Sequence, residues 1–158
     1  IWALSQNDPD GWLQVMHRDP AEAADFLDRL DGDFKTHLDR YKYASRFDAA
    51  AAEYHRQEGA SFLHDLEARL SAGPAQQKFQ NETRKVALWG GAMGVLDFAA
   101  LPFVRQFRIA DPQWFDSRPW PHLHRWLQGF LDTPDFASIM QKDTPWQPGE
   151  AGVAFPPR

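Results

Sequence analysis

The feature that most constrains the fold is a long apolar segment that follows a glycine-rich turn. Residues 95–107 are apolar almost all round a helical wheel, with Asp97 as the single acidic side chain. A helix without a wide polar face is normally covered by its neighbours in the middle of a domain. Gly90, Gly91 and Gly94 break the chain just before it. The sequence therefore predicts a buried central helix that begins near Gly94.

The rest of the chain shows helical periodicity and no alternating pattern of the kind that marks a strand. A helix led by Pro20 is predicted to stop at Asp31 and Gly32, and a second helix is predicted to start at Asp33. A longer helix is expected over about residues 48–70. These patterns predict an all-α fold.

Shorter helices are predicted near the C-terminus. Pro121 suits the first turn of one of them, and Thr133 followed by a proline has the chemistry of a helix start. The expected buried side chains are those that recur at helical spacing. On the long helix they are Tyr54, Phe62, Leu66 and Leu70, and on the last helix Phe136, Ile139 and Met140.

The domain organisation follows from the same patterns. Residues 1–7 suggest the remnant of a preceding helix or linker, because the chain begins at Ile1 in the middle of an amphipathic pattern. Residues 8–146 form the predicted helical domain, within which residues 75–85 are polar and predict a surface loop. Residues 147–158 are rich in proline and predict an extended tail.

Composition excludes several classes of function. The chain has 158 residues and a net charge of −5 with the two signs interspersed, so no positive face is expected to collect nucleic acid. The absence of cysteine excludes a disulfide framework, a thiolate zinc site and a cysteine nucleophile in this chain. The longest apolar stretch is far shorter than the roughly 20 residues that a membrane helix needs. We expect no nucleic-acid partner and no membrane span.

Asp97 lies three positions after Gly94, which is the spacing of a capping box. In that motif the carboxylate accepts a hydrogen bond from the N–H of the N-cap residue. Only half of the box is present, because Gly94 has no side-chain oxygen to return the bond. A buried acid could also act as a general acid or base, but the spacing favours a structural cap. Pro102 lies inside the same helix and is expected to bend it without ending it.

The segment 94–107 resembles the core helix of the C-terminal domain of the glutathione transferases, a family in which a Ser/Thr-x-x-Asp box opens a buried helix. The resemblance extends over most of residues 8–146, to a bacterial glutathione S-transferase-like group. The residues outside the central helix that carry it are Phe34, Lys35, residues 38–43, Trp114, Phe115, Leu123, Trp126, Leu127, Phe136, Lys142 and Trp146.

This resemblance implies a bundle of roughly five to six helices, normally preceded by a thioredoxin-like domain that is not found here. In the family, glutathione is the co-substrate and is held mainly by that preceding domain. The helical domain lines the pocket for a small hydrophobic electrophile. The resemblance thus implies a cytoplasmic protein whose complete form is a homodimer, and in which this chain alone binds no cofactor and is not a complete transferase.

Two other functions stay open at this point. The parent protein could be a non-catalytic relative that uses the same helical domain as a protein-interaction module. It could also be a free-standing helical domain with an unrelated ligand. The residue at the thiol-activating position of a thioredoxin-like half would distinguish the first of these from an enzyme.

Arg40, Tyr41 and Tyr43 are the candidate pocket residues. The resemblance places them on the first helix of the domain, which in the family faces the cleft shared with the thioredoxin-like half. A tyrosine can present its ring to an apolar substrate and its hydroxyl to water or a thiolate. The alternative is that Tyr41 continues the core stripe that begins at Phe34 and Leu38.

No catalytic residue and no metal ligand are predicted in this chain. His122 and His124 are two residues apart, so on a helix they point in different directions and cannot share a metal. The pair His64 and Asp65 lacks the additional ligands of a metal-dependent phosphohydrolase. No serine has the Gly-x-Ser-x-Gly context of a hydrolase, and the glycine-rich turn lacks the lysine of a phosphate-binding loop.

Overall fold

The computed structural model describes residues 2–72, 86–142, 144–149 and 151–152. It is all-helical, as the periodicity predicts, and the described residues contain no strand. The helices are α1 (Trp2–Gln6), α2 (Gln14–Arg18), α3 (Pro20–Arg29), α4 (Lys35–Lys42), α5 (Ala52–Ala72), α6 (Val95–Ala110), α7 (Pro112–Asp116), α8 (Pro121–Leu131) and α9 (Pro134–Ile139). Because several are single short turns, the described helices outnumber the expected five to six.

Three of these helices start in the same way, with a capping side chain followed by proline at the first helical position. Asp19 accepts a hydrogen bond from the N–H of Glu22, and Asp111 accepts one from that of Trp114. Thr133 accepts the N–H of Phe136 at 3.1 Å. Proline suits the first position because its missing N–H has no partner there in any case. The predicted start of the last helix at Thr133 is confirmed.

The predicted stop at Asp31 and Gly32 is wrong. Residues Leu30–Phe34 form a π-helical turn that joins α3 to α4 without a break. The buried residues Phe26, Leu30, Phe34 and Leu38 are spaced by four. In an α-helix this spacing overshoots each turn by roughly 40°. A π-helical turn contains more residues than an α-helical one, so it compensates for this rotation and keeps all four side chains against the core.

Helix α6 lies at the centre of the fold, packed against α4, α7 and α8. Its inner face is a wide stripe of buried side chains: Leu96, Asp97, Ala100, Leu101, Val104 and Phe107. Val95, Phe98, Ala99 and Phe103 are partly buried against the same core, whereas Ile109 near the end of the helix is exposed. The helix continues through Pro102, which lies on its exposed face, where the loss of one N–H donor is least costly. A central helix that runs through Pro102 agrees with the prediction.

The carboxylate of Asp97 joins three parts of the chain. One oxygen, Oδ2, accepts the N–H of Gly94 at 3.0 Å. The other, Oδ1, accepts the backbone N–H of Leu88 at 2.8 Å and the indole N–H of Trp126 at 2.9 Å. Burial raises the pKa of Asp97, while these N–H donors act in the opposite direction. The side chain therefore ties the start of α6 to the preceding turn and to α8.

The backbone of another segment approaches Gly94 closely. A Cβ at this position would lie 3.0 Å from the carbonyl oxygen of Trp12. The same oxygen accepts the N–H of Val95 at 3.0 Å. The N-terminal segment is held there by Asp8, which accepts the backbone N–H groups of Trp12 and Leu13. A glycine at the cap thus allows the N-terminal segment to dock on α6.

Some predicted buried faces are wrong. Tyr54 is 58% exposed, and α5 instead buries His55 and Gly59 beside Phe62, Leu66 and Leu70. On α9, Ile139 and Met140 are exposed, at 71% and 42%. This last helix has only six residues and rests on α8 through one side chain, Phe136, whose ring lies 5.3 Å from that of Phe130.

The predicted loop at residues 75–85 lies outside the described residues. The described part of the predicted tail, 147–149 and 151–152, has no helix or strand.

Candidate functional site

A cleft of about 540 Å³ lies between α3, the second half of α5 and the turn at residues 88–90. Ligand pockets generally fall between roughly 300 and 1,000 Å³, so it has the size of a small-molecule site. Its described lining consists of Phe26, Arg29, Phe62, Asp65, Leu66, Ala68, Arg69, Ala72, Leu88, Trp89 and Gly90.

Aromatic rings form the wall of this cleft. The ring of Phe26 meets that of Trp89 edge to face at 4.8 Å and lies 5.7 Å from that of Phe62. Phe26 and Phe62 are buried, whereas Trp89 is only partly buried and presents part of its indole to the cleft. Since Phe26 is on α3 and Phe62 on α5, the packing of these two helices positions the wall.

Two arginines lie over these rings. The guanidinium of Arg69 is 4.5 Å from the centre of the Trp89 ring, and that of Arg29 is 5.5 Å from the centre of the Phe62 ring. Such cation–π contacts hold a guanidinium in place while leaving several of its N–H donors open. Both arginine side chains are partly exposed. The rim of the cleft therefore offers fixed hydrogen-bond donors beside an apolar wall.

The charges of the two arginines are balanced within the protein. Arg29 forms an ion pair with Asp65, and Arg69 donates to Glu22 at 2.5 Å. The hydrogen bond from Arg69 lowers the pKa of Glu22, and so does a hydrogen bond from the indole N–H of Trp89 at 3.1 Å. Because each guanidinium has an acidic partner, the cleft suits an apolar molecule with polar acceptors better than a strongly charged one.

The predicted pocket residues Arg40, Tyr41 and Tyr43 lie at the C-terminal end of the continuous helix formed by α3, the π-helical turn and α4. They are not part of the described lining of the cleft. Arg40 is exposed. The Tyr43 ring lies between Lys42 and Arg46, each 4.8 Å from its centre.

Tyr41 packs into the protein. Its ring lies 5.1 Å from that of Phe107, which is fully buried on α6. Burial raises the pKa of the phenol, the carboxylate of Asp111 adds to this rise, and Arg56 opposes it. This environment matches the alternative in which Tyr41 extends the stripe of Phe34 and Leu38.

Glu67 has a role that no sequence pattern indicates. It is on α5, but its carboxylate accepts the N–H of Leu123 at 2.7 Å and that of His122 at 3.3 Å, both in the first turn of α8. It also lies 2.7 Å from Nδ1 of His122. The N-cap residue Trp120 provides no side-chain cap, so Glu67 supplies it from a neighbouring helix. The contact spans 56 positions in the chain, and therefore no local spacing reveals it.

Glu67→Gln is expected to lower the free energy of unfolding by about 1–2 kcal/mol, because the negative charge at the N-terminus of α8 and one acceptor are lost. Urea unfolding at neutral pH measures the change. Glu53→Gln is the matched control on the same helix, since Glu53 is 77% exposed and its contact with Arg56 is 3.6 Å long. Equal effects of the two substitutions would contradict the capping role.

The histidines singled out by the sequence bind different protein groups. His122 contacts Glu67, His124 contacts the carbonyl oxygen of Phe115 at 3.1 Å, and His64 accepts the indole N–H of Trp120 at 3.1 Å. Within the described ranges, no group of three or more His, Cys, Asp or Glu side chains could hold a metal ion. None of the helices in the described part of the chain is long and apolar enough to cross a membrane.

The chain matches no protein-family model, no curated protein and no solved structure. The likeness to glutathione transferases therefore remains a prediction from residues 94–107 and their flanks.

Proposed function

We propose that this chain is the helical, second-substrate half of a glutathione S-transferase-like protein, and that its cleft holds a small hydrophobic electrophile. The observation that carries the proposal is the cleft itself: a space of about 540 Å³ with an aromatic wall and two fixed guanidinium groups. The family is proposed because residues 94–107, around Asp97, resemble the core helix of the glutathione transferases. The all-helical fold with this segment at its centre supports the same assignment.

The chemistry of the cleft fits an electron-poor aromatic molecule. Such a molecule can stack against Trp89 and leave water, and each 100 Å² of apolar surface it buries stabilises the complex by about 2.5 kcal/mol. Electron-withdrawing groups such as nitro or carbonyl oxygens are hydrogen-bond acceptors, which the open N–H groups of Arg29 and Arg69 can serve. The cleft would thereby orient the electrophile by its substituents.

Glutathione would be held by a thioredoxin-like domain of the complete protein, which also supplies the thiol-activating group. Asp97, the most buried acid among the described residues, accepts three N–H donors and so has a structural task in place of an acid–base role. We therefore expect no glutathione conjugation by this chain alone.

Binding of 1,3-dinitrobenzene, an unreactive analogue of an aromatic electrophile, tests the cleft. We expect it to quench tryptophan fluorescence, and Trp89→Leu to weaken binding by up to about tenfold, since aromatic stacking contributes about 0.5–1.5 kcal/mol. Trp146→Leu is the control, because Trp146 is 61% exposed and outside the described lining. Equal affinities of the two variants would rule out the cleft as the site.

The family assignment is tested separately with the complete coding sequence. A protein that includes an upstream thioredoxin-like segment should bind immobilised glutathione and be released by free glutathione. Failure of that protein to bind would contradict the assignment whether or not the cleft binds dinitrobenzene.

The alternative, a protein-interaction module, is favoured by the exposed apolar side chains of the C-terminal part. Ile139, Met140 and Trp146 are 71%, 42% and 61% exposed. Exposed apolar groups of this kind often mark an interaction surface when they are contiguous. A complete protein that bound neither glutathione nor dinitrobenzene would support this alternative.

A further inference from the structure

Two histidine rings, tilted by 44° to each other, meet between α4 and α5, outside the described lining of the cleft. Nδ1 of His37 and Nδ1 of His55 are 2.9 Å apart, which is the length of a good hydrogen bond. His55 is buried, with 8% of its surface exposed, and His37 is half-buried. The ring of Tyr54 lies edge-on to both, 6.0 Å from that of His37 and 5.1 Å from that of His55.

The number of protons on the pair decides whether this contact can exist. With both rings neutral, one Nδ1 carries a proton and donates it to the lone pair of the other. A first added proton can go to the outer nitrogen of the donor ring, which keeps the hydrogen bond and makes it charge-assisted. A second added proton must occupy the accepting Nδ1. Two N–H groups then point at each other across 2.9 Å, and the bond is lost.

The pKa of His55 is affected by burial and by charged groups on α4, on α5 and on the segment before α5. Burial is the largest influence and lowers its pKa, and His37 and Arg40 of α4 lower it further. Asp48, ahead of α5, and Glu58, on α5 itself, act in the opposite direction. The net direction is downward, so the folded protein resists the second proton.

We propose that His37 and His55 form a pH-sensitive clasp, which holds α4 against α5 while the pair carries at most one added proton and opens when both rings are protonated. The clasp is a side-chain hydrogen bond between α4 and α5, in an interface where Leu38 is the fully buried residue of α4. Opening would loosen the end of α4 that carries Tyr41. The proposal does not depend on the proposed function.

The direction of the pH effect follows from linkage. The pKa of His55 is lower in the folded protein than the value of 6.5 for a free side chain. Between these two values the unfolded chain binds more protons than the folded one, so stability rises with pH there. The contribution of the clasp is therefore complete above about pH 6.5 and is lost as the pH falls below it.

The test compares urea unfolding of the wild type and of His37→Gln from pH 7.5 to pH 4.5. Glutamine can still bond to His55 but does not titrate. Each extra proton taken up by the unfolded state raises the unfolding constant by about tenfold per pH unit. We expect the increase in the unfolding constant between pH 6.5 and pH 5 to be about tenfold smaller in His37→Gln than in the wild type. His17→Gln, an exposed histidine outside the pair, should follow the wild type.

Two measurements on the wild type keep the proposal testable if His37→Gln does not fold. Imidazole resonances should titrate in two separated steps that belong to the pair, and amide exchange in residues 35–42, corrected for intrinsic rates, should accelerate below pH 6. Independent titration of both rings near 6.5 would overturn the clasp. So would a rise in Tm with micromolar Zn²⁺ that His37→Gln abolishes, because the pair would then be a metal site.

Discussion

Asp97→Ala is expected to lower the free energy of unfolding by about 4 kcal/mol, the largest effect of any single polar substitution in this chain. The substitution leaves three N–H groups without an acceptor: the buried ones of Leu88 and the Trp126 indole, and the partly buried one of Gly94. A buried donor without a partner costs about 1–3 kcal/mol, and donors facing a carboxylate are at the upper end of that range. A small cavity beside Trp126 adds to the loss.

Comparing Asp97→Asn with Asp97→Ala separates the loss of hydrogen bonds from other causes of destabilisation. Asp97→Asn keeps one oxygen and can still serve the two donors at the Oδ1 position, but its NH₂ group then faces the N–H of Gly94. We expect this variant to lose about 2 kcal/mol, half the effect of alanine. Urea unfolding followed by far-UV circular dichroism gives both values, and near-UV circular dichroism reports on Trp126.

Asp116→Asn provides the matched control for this series. Asp116 is also a carboxylate with two close partners, since it accepts two hydrogen bonds from Arg108 at 2.7 and 2.9 Å. It is about half exposed, however, and an exposed pair contributes at most about 1 kcal/mol. If Asp97→Asn and Asp116→Asn had the same small effect, the three bonds of Asp97 would not be the anchor of the core.

The sequence predicts those parts of the fold whose cause is local. The cap spacing of Gly94 and Asp97, the apolar run after it and the threonine–proline start at Thr133 each depend on residues within about one helical turn of each other. The all-helical class follows from the same short-range patterns. The hydrogen bond from Gly94 to Asp97 and the start of α9 are found where these patterns place them.

Other features depend on contacts between distant segments. The π-helical turn at Leu30–Phe34 exists because residues before and after it must face one core, and the Asp-Gly pair within it has the local chemistry of a stop. The cap that Glu67 gives to α8 and the approach of the Trp12 carbonyl to Gly94 join residues more than 50 positions apart. Short-range spacing carries no information about such pairs.

In the candidate site, too, some features have local causes and others depend on contacts between distant segments. The resemblance favours Arg40, Tyr41 and Tyr43, at the C-terminal end of α4. The cleft instead contains Phe26 and Arg29 of α3, which the π-helical turn joins to α4 without a break. Which end of that helix faces a cavity depends on how α5 and the turn at residues 88–90 pack against it. Trp89 comes directly before the glycine-rich turn, but only its tertiary contacts with Arg69 and Phe26 place it in the wall.

Gly59→Ala is expected to destabilise the protein by about 2 kcal/mol, although alanine is the better helix former. Gly59 is buried in the middle of α5, and a Cβ there would lie 2.7 Å from Cε2 of Phe107. The Phe107 ring is fully buried and is surrounded by the rings of Phe34, Tyr41 and Trp114, so it cannot swing away. Overpacking of this kind costs about 1–3 kcal/mol and outweighs the gain in helix propensity.

Gly129→Ala in α8 isolates the propensity effect. A Cβ at Gly129 meets no atom within 4 Å, so this substitution should raise the free energy of unfolding by about 0.5–1 kcal/mol. The two glycine-to-alanine changes are thus expected to have opposite signs, and urea unfolding of both variants under the same conditions measures the difference. Stabilisation by Gly59→Ala would mean that α5 and α6 can move apart at no cost. That outcome would contradict the idea that the close approach of Gly59 to Phe107 sets the position of α6 against α5.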